Sequence, residues 1–287
     1  MNALSAADVA VRLTSPSRFY SAYLFDLDGT IYLGDELLPG ARELLAALRE
    51  RGARTVFLSN NPTKDPAMYV EKLRRLGIEA ELGDVVNTVV STVGWLTRNH
   101  PGATVYPIAE EPLVRALRDA GIRISEDPAE IDIVIASYDR AFDYRKLQIA
   151  FDAIWQNRRA QLITTNPDRY CPFPGGRGEP DAAGIVAAIE ATTGITCSAN
   201  MGKPDRIMID TVLATLGVPV DDAIMVGDRL GTDVRMAVTA GMSSALVLTG
   251  DSTLDDVEAT PSAERPTFVL DRIDRLLPEG TSPCGND

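Results

Sequence analysis

The feature that most constrains this chain is the stretch 22–31, in which a strand of buried type runs directly into two aspartates. The letters AYLF at 22–25 have the length and composition of a strand covered on both faces, as in a parallel sheet. Because residues i and i+2 of a strand face one side, we expect Asp26 and Asp28 to face the same ligand, with Gly29 allowing a tight turn. Two such carboxylates repel each other unless a cation or a reacting group lies between them.

Composition limits the kind of protein that can carry this site. With 287 residues and 45% hydrophobic content, the chain can bury a sizeable core and is expected to form two domains. A net charge of -13 argues against nucleic acid and anionic membranes as partners. The chain shows neither a leader pattern nor a long apolar run, so a cytoplasmic location is expected. The 3 cysteines and 1 histidine argue against a disulfide framework and a zinc site.

The rest of the chain alternates strands and helices, which predicts an α/β fold with a parallel sheet whose ligands gather at the carboxyl ends of the strands. The pattern restarts near residue 84, and we expect a parallel-sheet core of Rossmann-like type at 1–83 and 181–287. A second, smaller α/β domain is predicted at 84–180. Its last part, 165–180, is rich in Pro and Gly and predicts an irregular functional loop.

A second strand ends in acid as the first one does. The apolar run at 223–226 leads through Gly227 to Asp228, and Asp233 follows after a turn. In a parallel sheet Asp228 would arrive near Asp26, and clustered carboxylate oxygens suit Mg²⁺. The simpler interpretation, in which Asp228 and Asp233 are only turn and helix-cap residues, stays open for Asp233.

Two further segments suggest a phosphate ligand. Ser59 and Asn60 follow a predicted strand at 55–58, and a hydroxyl and backbone N–H groups at that position can bind anionic oxygens. Lys203 lies in a turn before a helix and would supply a positive charge. The segment is not a nucleotide P-loop, because Pro204 stands where that motif requires Ser or Thr.

These groups together predict phosphoryl-transfer chemistry. With a cation and Lys203 offsetting the repulsion between anions, the Asp26 carboxylate could attack phosphorus in line and form an aspartyl-phosphate. Asp28 could protonate the leaving alcohol and later activate water. The residues therefore predict a magnesium-dependent phosphomonoesterase.

At this point the motifs resemble a known family. The sequence DLDGT from Asp26, Ser59 at a strand end, Lys203 between Gly and Pro, and Asp228 followed by Thr-Asp resemble the four motifs of haloacid dehalogenase-type hydrolases, in their usual order. The large insert before Lys203, TTNPD at 164–168 and VLTG at 247–250 resemble the NagD-type branch, which includes p-nitrophenyl phosphatases. The resemblance covers nearly the whole chain.

The resemblance implies a role for each matching acid. Asp26 matches the nucleophile and Asp28 the acid/base, whose backbone carbonyl also binds Mg²⁺. Asp228 matches the third metal contact, and Asp233 a supporting acid near the metal.

The same resemblance implies phosphate binding by Ser59 and Lys203, and a cap at 84–180 that closes over the core. The cap would present a loop to the leaving group of the substrate. The residues of that loop expected to influence substrate choice are Asn166, Asp168, Arg169 and Tyr170. The substrate would be a small phosphorylated metabolite. The oligomeric state is left open, with a homodimer paired through the caps as the arrangement that the resemblance suggests.

One position departs from the branch. Relatives have Gly after a Pro before the returning helix, whereas this chain has Asp181 after Pro180. Asp181 either caps that helix or points into the cleft, where it would disfavour anionic leaving groups and favour hydroxyl-rich or cationic ones.

Other functions fit these residues less well. Cys171 and Arg177 have the spacing of cysteine phosphatases, but Pro172 and Pro174 remove N–H groups that such a loop needs. A response-regulator module would not need Asp28 or a cap, and dehalogenases of this fold lack the second Asp. Sugar, polyol or triose phosphates are the preferred substrates, with nucleotides and pyridoxal phosphate as alternatives. A non-hydrolytic phospho-acceptor protein is the more distant alternative.

Overall fold

The computed structural model describes residues 13–173 and 177–278. The strands within these residues are β1 (Ala22–Asp26), β2 (Tyr32–Leu33), β3 (Glu36–Leu37), β4 (Arg54–Ser59), β5 (Val85–Asn87), β6 (Thr104–Ile108), β7 (Arg123–Ile124), β8 (Ile133–Ala136), β9 (Gln161–Thr164), β10 (Tyr170–Phe173), β11 (Arg177–Pro180), β12 (Ala199–Asn200), β13 (Ala223–Gly227), β14 (Ser243–Val247) and β15 (Phe268–Leu270). Among the helices that the structure describes, none combines the length and the hydropathy that crossing a bilayer requires.

The α-helices of the described residues are α1 (Ala41–Glu50), α2 (Pro66–Arg75), α3 (Thr88–Asn99), α4 (Glu111–Asp119), α5 (Tyr144–Phe151), α6 (Ala182–Thr193), α7 (Ile207–Leu216), α8 (Arg235–Ala240) and α9 (Leu254–Ala259). Short 3₁₀ turns lie at Leu82–Asp84, Val220–Asp222, Ser262–Glu264 and Ile273–Leu276, and π-helical turns at Asp152–Gln156 and Leu230–Val234.

The first sheet has six strands in the order β15-β14-β13-β1-β4-β5. The pairs that β1 makes with β13 and β4 are parallel, with Phe25 opposite Val226 and Asp26 opposite Leu58. The side chains at 22–25 are fully buried, as a strand covered on both faces requires. The predicted α/β fold with a parallel-sheet core is therefore confirmed, and β1 ends beside the ends of both neighbouring strands.

The second sheet has five parallel strands in the order β12-β9-β8-β6-β7. Alternate residues of β8 lie in two different hydrophobic clusters. Val134 packs in one with Ile189 of α6, and Ile133 packs in the other with Leu113 of α4. Because successive side chains of a strand point to opposite faces, helices cover both faces of this sheet as well.

The described residues divide into two compact units. The first contains 13–58, 70–85 and 212–278, and the second contains 59–69 and 86–211 with its gap at 174–176. These units are defined by packing between residues alone. The boundaries expected from the sequence, which follow the restart of the strand–helix pattern near residue 84 and its resumption after residue 180, stay a prediction.

The expectation of an irregular loop over 165–180 is confirmed for 165–169, and it is wrong for 170–173 and 177–180. β10 and β11 form an antiparallel ribbon in which Cys171 lies opposite Glu179 and Pro172 opposite Gly178. A two-stranded ribbon has an outer edge on each strand, so proline, which lacks an N–H, is tolerated there. Pro174, which the cysteine-phosphatase argument used, lies outside the described residues, as does Cys284.

Candidate active site

Three carboxylates converge at the carboxyl end of the first sheet. The oxygens that Asp26, Asp228 and Asp233 can offer as ligands all lie within 4.8 Å of one another. Asp228 and Asp233 are 3% and 1% exposed, and Asp26 is half-buried. We call these residues the three-acid cluster.

The parallel register explains why two of the acids meet. Since Phe25 lies opposite Val226, β1 and β13 end together, and Asp26 and Asp228 come at or just after those ends. Asp233 reaches the cluster from the π-helical turn Leu230–Val234, where its Oδ2 accepts the Arg229 N–H at 3.1 Å.

The helix that follows Asp233 is not capped by it. α8 starts at Arg235 with Val234 as its N-cap, so Asp233 lies inside the preceding π-helical turn. The interpretation of Asp233 as a helix cap is therefore wrong, because its carboxylate bonds the backbone at the start of the π-helical turn and faces the other acids.

Three glycines make room for the cluster. A Cβ on Gly29, whose φ is +85°, would lie 2.5 Å from Oδ2 of Asp228. A Cβ on Gly250 would also collide with Asp228, and one on Gly227 would collide with Asp233. Larger residues at these positions would displace the carboxylates.

The segment after β14 holds this arrangement from the other side. The Asp251 N–H donates to Oδ2 of Asp228 at 2.8 Å, and the Thr249 hydroxyl donates to the Gly29 carbonyl at 2.6 Å. This segment fixes both the acid and the turn beside it.

The donor set fits a hard divalent cation. Three carboxylates offer only oxygen ligands, which is what Mg²⁺ selects, and their mutual repulsion favours a cation among them. The neighbouring Arg229 shows the strength of this negative charge. Burial lowers the pKa of Arg229, but the surrounding carboxylates, led by that of Asp228, raise it by more.

Gly250→Ala should weaken metal binding, because its methyl group would push the Asp228 carboxylate out of place. We expect the Mg²⁺ concentration for half-maximal activity to rise about 10- to 100-fold, as when groups that orient metal ligands are changed. A titration of activity with Mg²⁺ measures this shift. Gly231→Ala is the matched control, because nothing lies within 4 Å of its added Cβ. Equal titration curves for the two variants would contradict the prediction.

Asp28 has a different environment from Asp26. Its side chain is exposed, and it is not one of the three-acid cluster. β1 ends at Asp26, and Gly29 N–H bonds the Tyr32 carbonyl at 2.8 Å in a tight turn. The strand alternation expected to direct both carboxylates at one ligand therefore does not extend to Asp28, whose side chain is exposed.

Ser59 is the last residue of β4, as the sequence suggested. Its hydroxyl lies 2.9 Å from the Tyr69 hydroxyl and accepts the Asn61 N–H at 3.2 Å. These contacts fix the hydroxyl at the end of the strand.

Lys203 and Asn60 belong to one hydrogen-bonded group in the second unit. The Asn60 Oδ1 accepts the Lys203 N–H at 2.7 Å, and its Nδ2 donates to the Lys203 carbonyl at 3.0 Å. Lys203 itself is 4% exposed. The sequence suggested Asn60 as a phosphate ligand through its backbone N–H, and in the structure its side chain bonds the turn that carries Lys203.

The predicted substrate residues fall into two groups. Asn166 is buried and Asp168 is half-buried, and the Asn166 Oδ1 accepts the Asp168 N–H at 2.9 Å. Arg169 and Tyr170 are exposed at the start of the β10–β11 ribbon.

Asp181 caps α6. Its carboxylate accepts the Ala182 N–H at 2.6 Å and the Asn166 Nδ2 at 3.3 Å, and the residue is 6% exposed. Burial, opposed by the bond from Ala182, raises the pKa of Asp181 from 3.8 to about 6. The role of Asp181 in selecting leaving groups stays a prediction.

Because the folded state holds this proton more tightly, the stability that Asp181 contributes is full below pH 3.8 and is lost as pH rises through about 6. Asp181→Asn keeps a good capping residue but cannot ionise. We expect the free energy of unfolding of the variant to exceed that of the wild type by up to about 3 kcal/mol at pH 7. This difference should fall by about half at pH 5.

Urea denaturation at the two pH values measures this difference. The matched control is Asp143→Asn at the exposed N-cap of α5, where the carboxylate accepts the Lys146 N–H at 2.8 Å. An excess for Asp181→Asn that does not change with pH would be evidence against the buried acid as its source.

Some residues that hold the site in place had little or no signal in the sequence. Gly250 and Thr249 stood in a segment singled out only by resemblance, and the structure shows them against Asp228 and Gly29. Tyr69, which contacts Ser59, lies on α2 and carries no motif. A glycine three residues after a buried strand was the only local signal that could have pointed to Gly250.

Comparisons with known proteins show the family of the chain. The family model of haloacid dehalogenase-like hydrolases matches residues 23–123, and a second model of hydrolases of this type matches 200–276. An acid sugar phosphatase of Staphylococcus epidermidis is 36% identical over 243 residues, covering 84% of this chain and 92% of the relative.

Solved structures give the same result. A 4-nitrophenylphosphatase of Thermotoga maritima superposes with a TM-score of 0.83 at 34% identity, covering 90% of this chain and 96% of that one. NagD of Escherichia coli K-12 gives a TM-score of 0.80 at 26% identity, covering 90% and 98%. The chain therefore belongs to the haloacid dehalogenase-like hydrolases and is a phosphatase of the branch that contains NagD and the nitrophenyl phosphatases, as its motifs predicted.

Proposed function

We propose that this protein is a Mg²⁺-dependent phosphatase that hydrolyses a small sugar, polyol or triose phosphate through an aspartyl-phosphate on Asp26. The observation that carries the proposal is the three-acid cluster, whose ligand oxygens lie within 4.8 Å of one another at the end of β1. Asp26, Asp228 and the Asp28 backbone carbonyl would hold Mg²⁺, with Asp233 supporting them. When bound, the ion would offset the negative charge of the acids and of the phosphoryl group.

In the first step, an oxygen of Asp26 forms a bond to phosphorus while the bond from phosphorus to the leaving oxygen breaks. Asp28, which is exposed beside the cluster, gives its proton to that oxygen and releases the alcohol. In the second step Asp28 takes a proton from water, whose oxygen bonds phosphorus, and the bond between Asp26 and phosphorus breaks. The products are inorganic phosphate and the free enzyme.

Ser59 and Lys203 would bind the non-reacting oxygens of the phosphoryl group, together with the backbone N–H of Asn60. The hydroxyl of Ser59 is fixed by its neighbours, and Lys203 is held at its backbone by Asn60. A lysine so held supplies charge without having to reorganise during the reaction.

The substrate class is supported by two lines. The relative in Staphylococcus epidermidis is described as an acid sugar phosphatase, and the one in Thermotoga maritima as a 4-nitrophenylphosphatase. The predicted leaving-group residues are polar: Asn166, Asp168, Arg169 and Tyr170. Acidic and amide groups suit a hydroxyl-rich leaving group, and nucleotides and pyridoxal phosphate stay the alternatives.

A phosphate-release screen tests the proposal. Purified protein with Mg²⁺ is offered sugar, polyol, triose and nucleoside phosphates and pyridoxal phosphate, with the Asp26→Asn variant as the blank. We expect the highest kcat/KM among the sugar, polyol and triose phosphates. A preference for nucleotides or pyridoxal phosphate would replace the substrate class, and no release from any ester would overturn the function.

We further propose that the protein works in the cytoplasm on a small phosphorylated metabolite, without nucleic acid or membrane as a partner. The net charge of -13 supports the exclusion of polyanions. The sequence boundaries, 1–83 with 181–287 for the catalytic core and 84–180 for the cap, and a homodimer are part of this proposal. Sedimentation of the purified protein would test the dimer.

A further inference from the structure

The side chain of Asn60 makes three hydrogen bonds, and two of them go to the main chain of Lys203. The third runs from Nδ2 to Oδ2 of Asp168 at 3.1 Å. A side-chain amide has two N–H groups, and here one donates to the Lys203 carbonyl and the other to Asp168. The amide therefore has no N–H group left to donate to a substrate.

The turn that carries Lys203 fits closely against Asn60. A Cβ on Gly202 would lie 2.7 Å from the Asn60 Oδ1 and 2.7 Å from the Thr165 carbonyl, so only glycine allows this approach. On its other side the turn is held by Asn200, whose side chain bonds both the N–H and the carbonyl of Gly202. Two asparagines thus hold the same turn.

Asp168, the other partner of Asn60, is anchored at its backbone too. Its N–H donates to the Asn166 Oδ1 at 2.9 Å, and its carbonyl accepts the Ala183 N–H at 3.1 Å. The next two residues, Arg169 and Tyr170, are exposed. Asp168 is therefore the fixed residue that two further predicted leaving-group residues, Arg169 and Tyr170, follow directly.

We propose that Asn60 is a positioning residue that couples Lys203 to Asp168, so that the residues selecting the leaving group also set the position of the phosphate-binding lysine. This inference rests on the proposed function. It adds to the sequence interpretation, in which the backbone N–H of Asn60 and the Lys203 side chain bind phosphate, because it gives the Asn60 side chain a separate role.

The charges of the pair make a reciprocal exchange possible. Asn60→Asp puts a carboxylate against Asp168 and against the Lys203 carbonyl, where the wild type has N–H donors. Adding Asp168→Asn restores the hydrogen bond in the reversed direction, because the amide at position 168 can donate to the carboxylate at position 60. The net charge of the double variant equals that of the wild type. The bond to the Lys203 carbonyl stays lost, so the rescue should be partial.

The test is a double-mutant cycle on kcat and KM with Mg²⁺, using p-nitrophenyl phosphate and the most active sugar phosphate of the screen. We expect Asn60→Asp to lower kcat/KM at least about tenfold and to change the ratio between the two substrates. The double variant Asn60→Asp/Asp168→Asn should recover at least about fivefold. A lower folded fraction alone would reduce kcat for both substrates equally and leave KM unchanged.

Asn200→Asp, alone and with Asp168→Asn, is the matched control. It disturbs the same turn through Gly202, so we expect a loss without rescue and without a changed substrate ratio. If the wild type is active and the Asp26→Asn blank is inactive, additive effects in the Asn60 cycle would overturn the coupling. The proposed function would then still stand. A wild type that releases no phosphate would overturn both.

Discussion

Asp26→Asn is expected to lower kcat for phosphate release by at least about 10⁴-fold, because the amide that replaces the carboxylate is a poor nucleophile toward phosphorus. The loss should appear with every substrate of the screen, since each ester must transfer its phosphoryl group to Asp26 before water can attack. Substrate binding should change far less than kcat.

The fold should tolerate this change. Asp26 is half-buried among two other carboxylates, so removing its charge relieves repulsion, and the melting temperature should stay equal or rise. Asp35→Asn is the matched control: it is an exposed acid of the same unit, 3.2 Å from Arg75, and its kcat should stay within about twofold of the wild type.

Steady-state assays and mass spectrometry of rapidly quenched enzyme check this result. The wild type should carry a phosphoryl group on the peptide that contains Asp26, and the Asn variant should not. An Asn variant with more than a tenth of the wild-type kcat would show that another residue is the nucleophile.

Removal of divalent metal is expected to have the second largest effect, a loss of activity of at least about 10³-fold that Mg²⁺ reverses. The three carboxylates of the cluster repel one another and the phosphate dianion when no cation offsets their charge. Binding to the folded state alone also stabilises it, by about 2.7 kcal/mol at a ligand concentration 100-fold above Kd. The chelated protein should therefore melt at a lower temperature.

Dialysis against a chelator, followed by titration with Mg²⁺, measures both effects. Asp228→Asn should raise the Mg²⁺ concentration for half-maximal activity at least about tenfold. Asp251→Asn is the matched control, because this exposed acid contacts Asp228 through its backbone and lies outside the three-acid cluster. Full activity of the chelated enzyme would contradict the proposed cofactor.

The helices and strands near the site were largely predictable, because their signals are local. Apolar runs at 22–25 and 223–226 that stop at Asp26 and Asp228 indicate buried strands, and both strands are present. The ribbon formed by 170–173 and 177–180 was missed because proline and glycine suggest a loop when pairing is not considered. The ladder between β10 and β11 nevertheless forms with both residue types in it.

The acids that meet in the site were largely predictable from the sequence, whereas the groups that hold the site residues in place were less so. A π-helical turn that directs Asp233 at the cluster has no signature in the sequence, where the same residue looked like a helix cap. The Asn60 side chain bonds Lys203, which is 143 positions away in the sequence, and Asp168, which is 108 positions away. No local pattern encodes such a pairing.

By itself the sequence determined the chemistry: which oxygen, hydroxyl and ammonium groups the protein has, and that acids follow buried strands. The tertiary structure decided which groups meet, because the order of strands places β13 beside β1 and brings Asp228 and Asp233 to Asp26. The physical reason is one of range. Hydrophobic periodicity acts over a few residues, whereas contact between distant side chains depends on sheet order, register and the space that glycines leave.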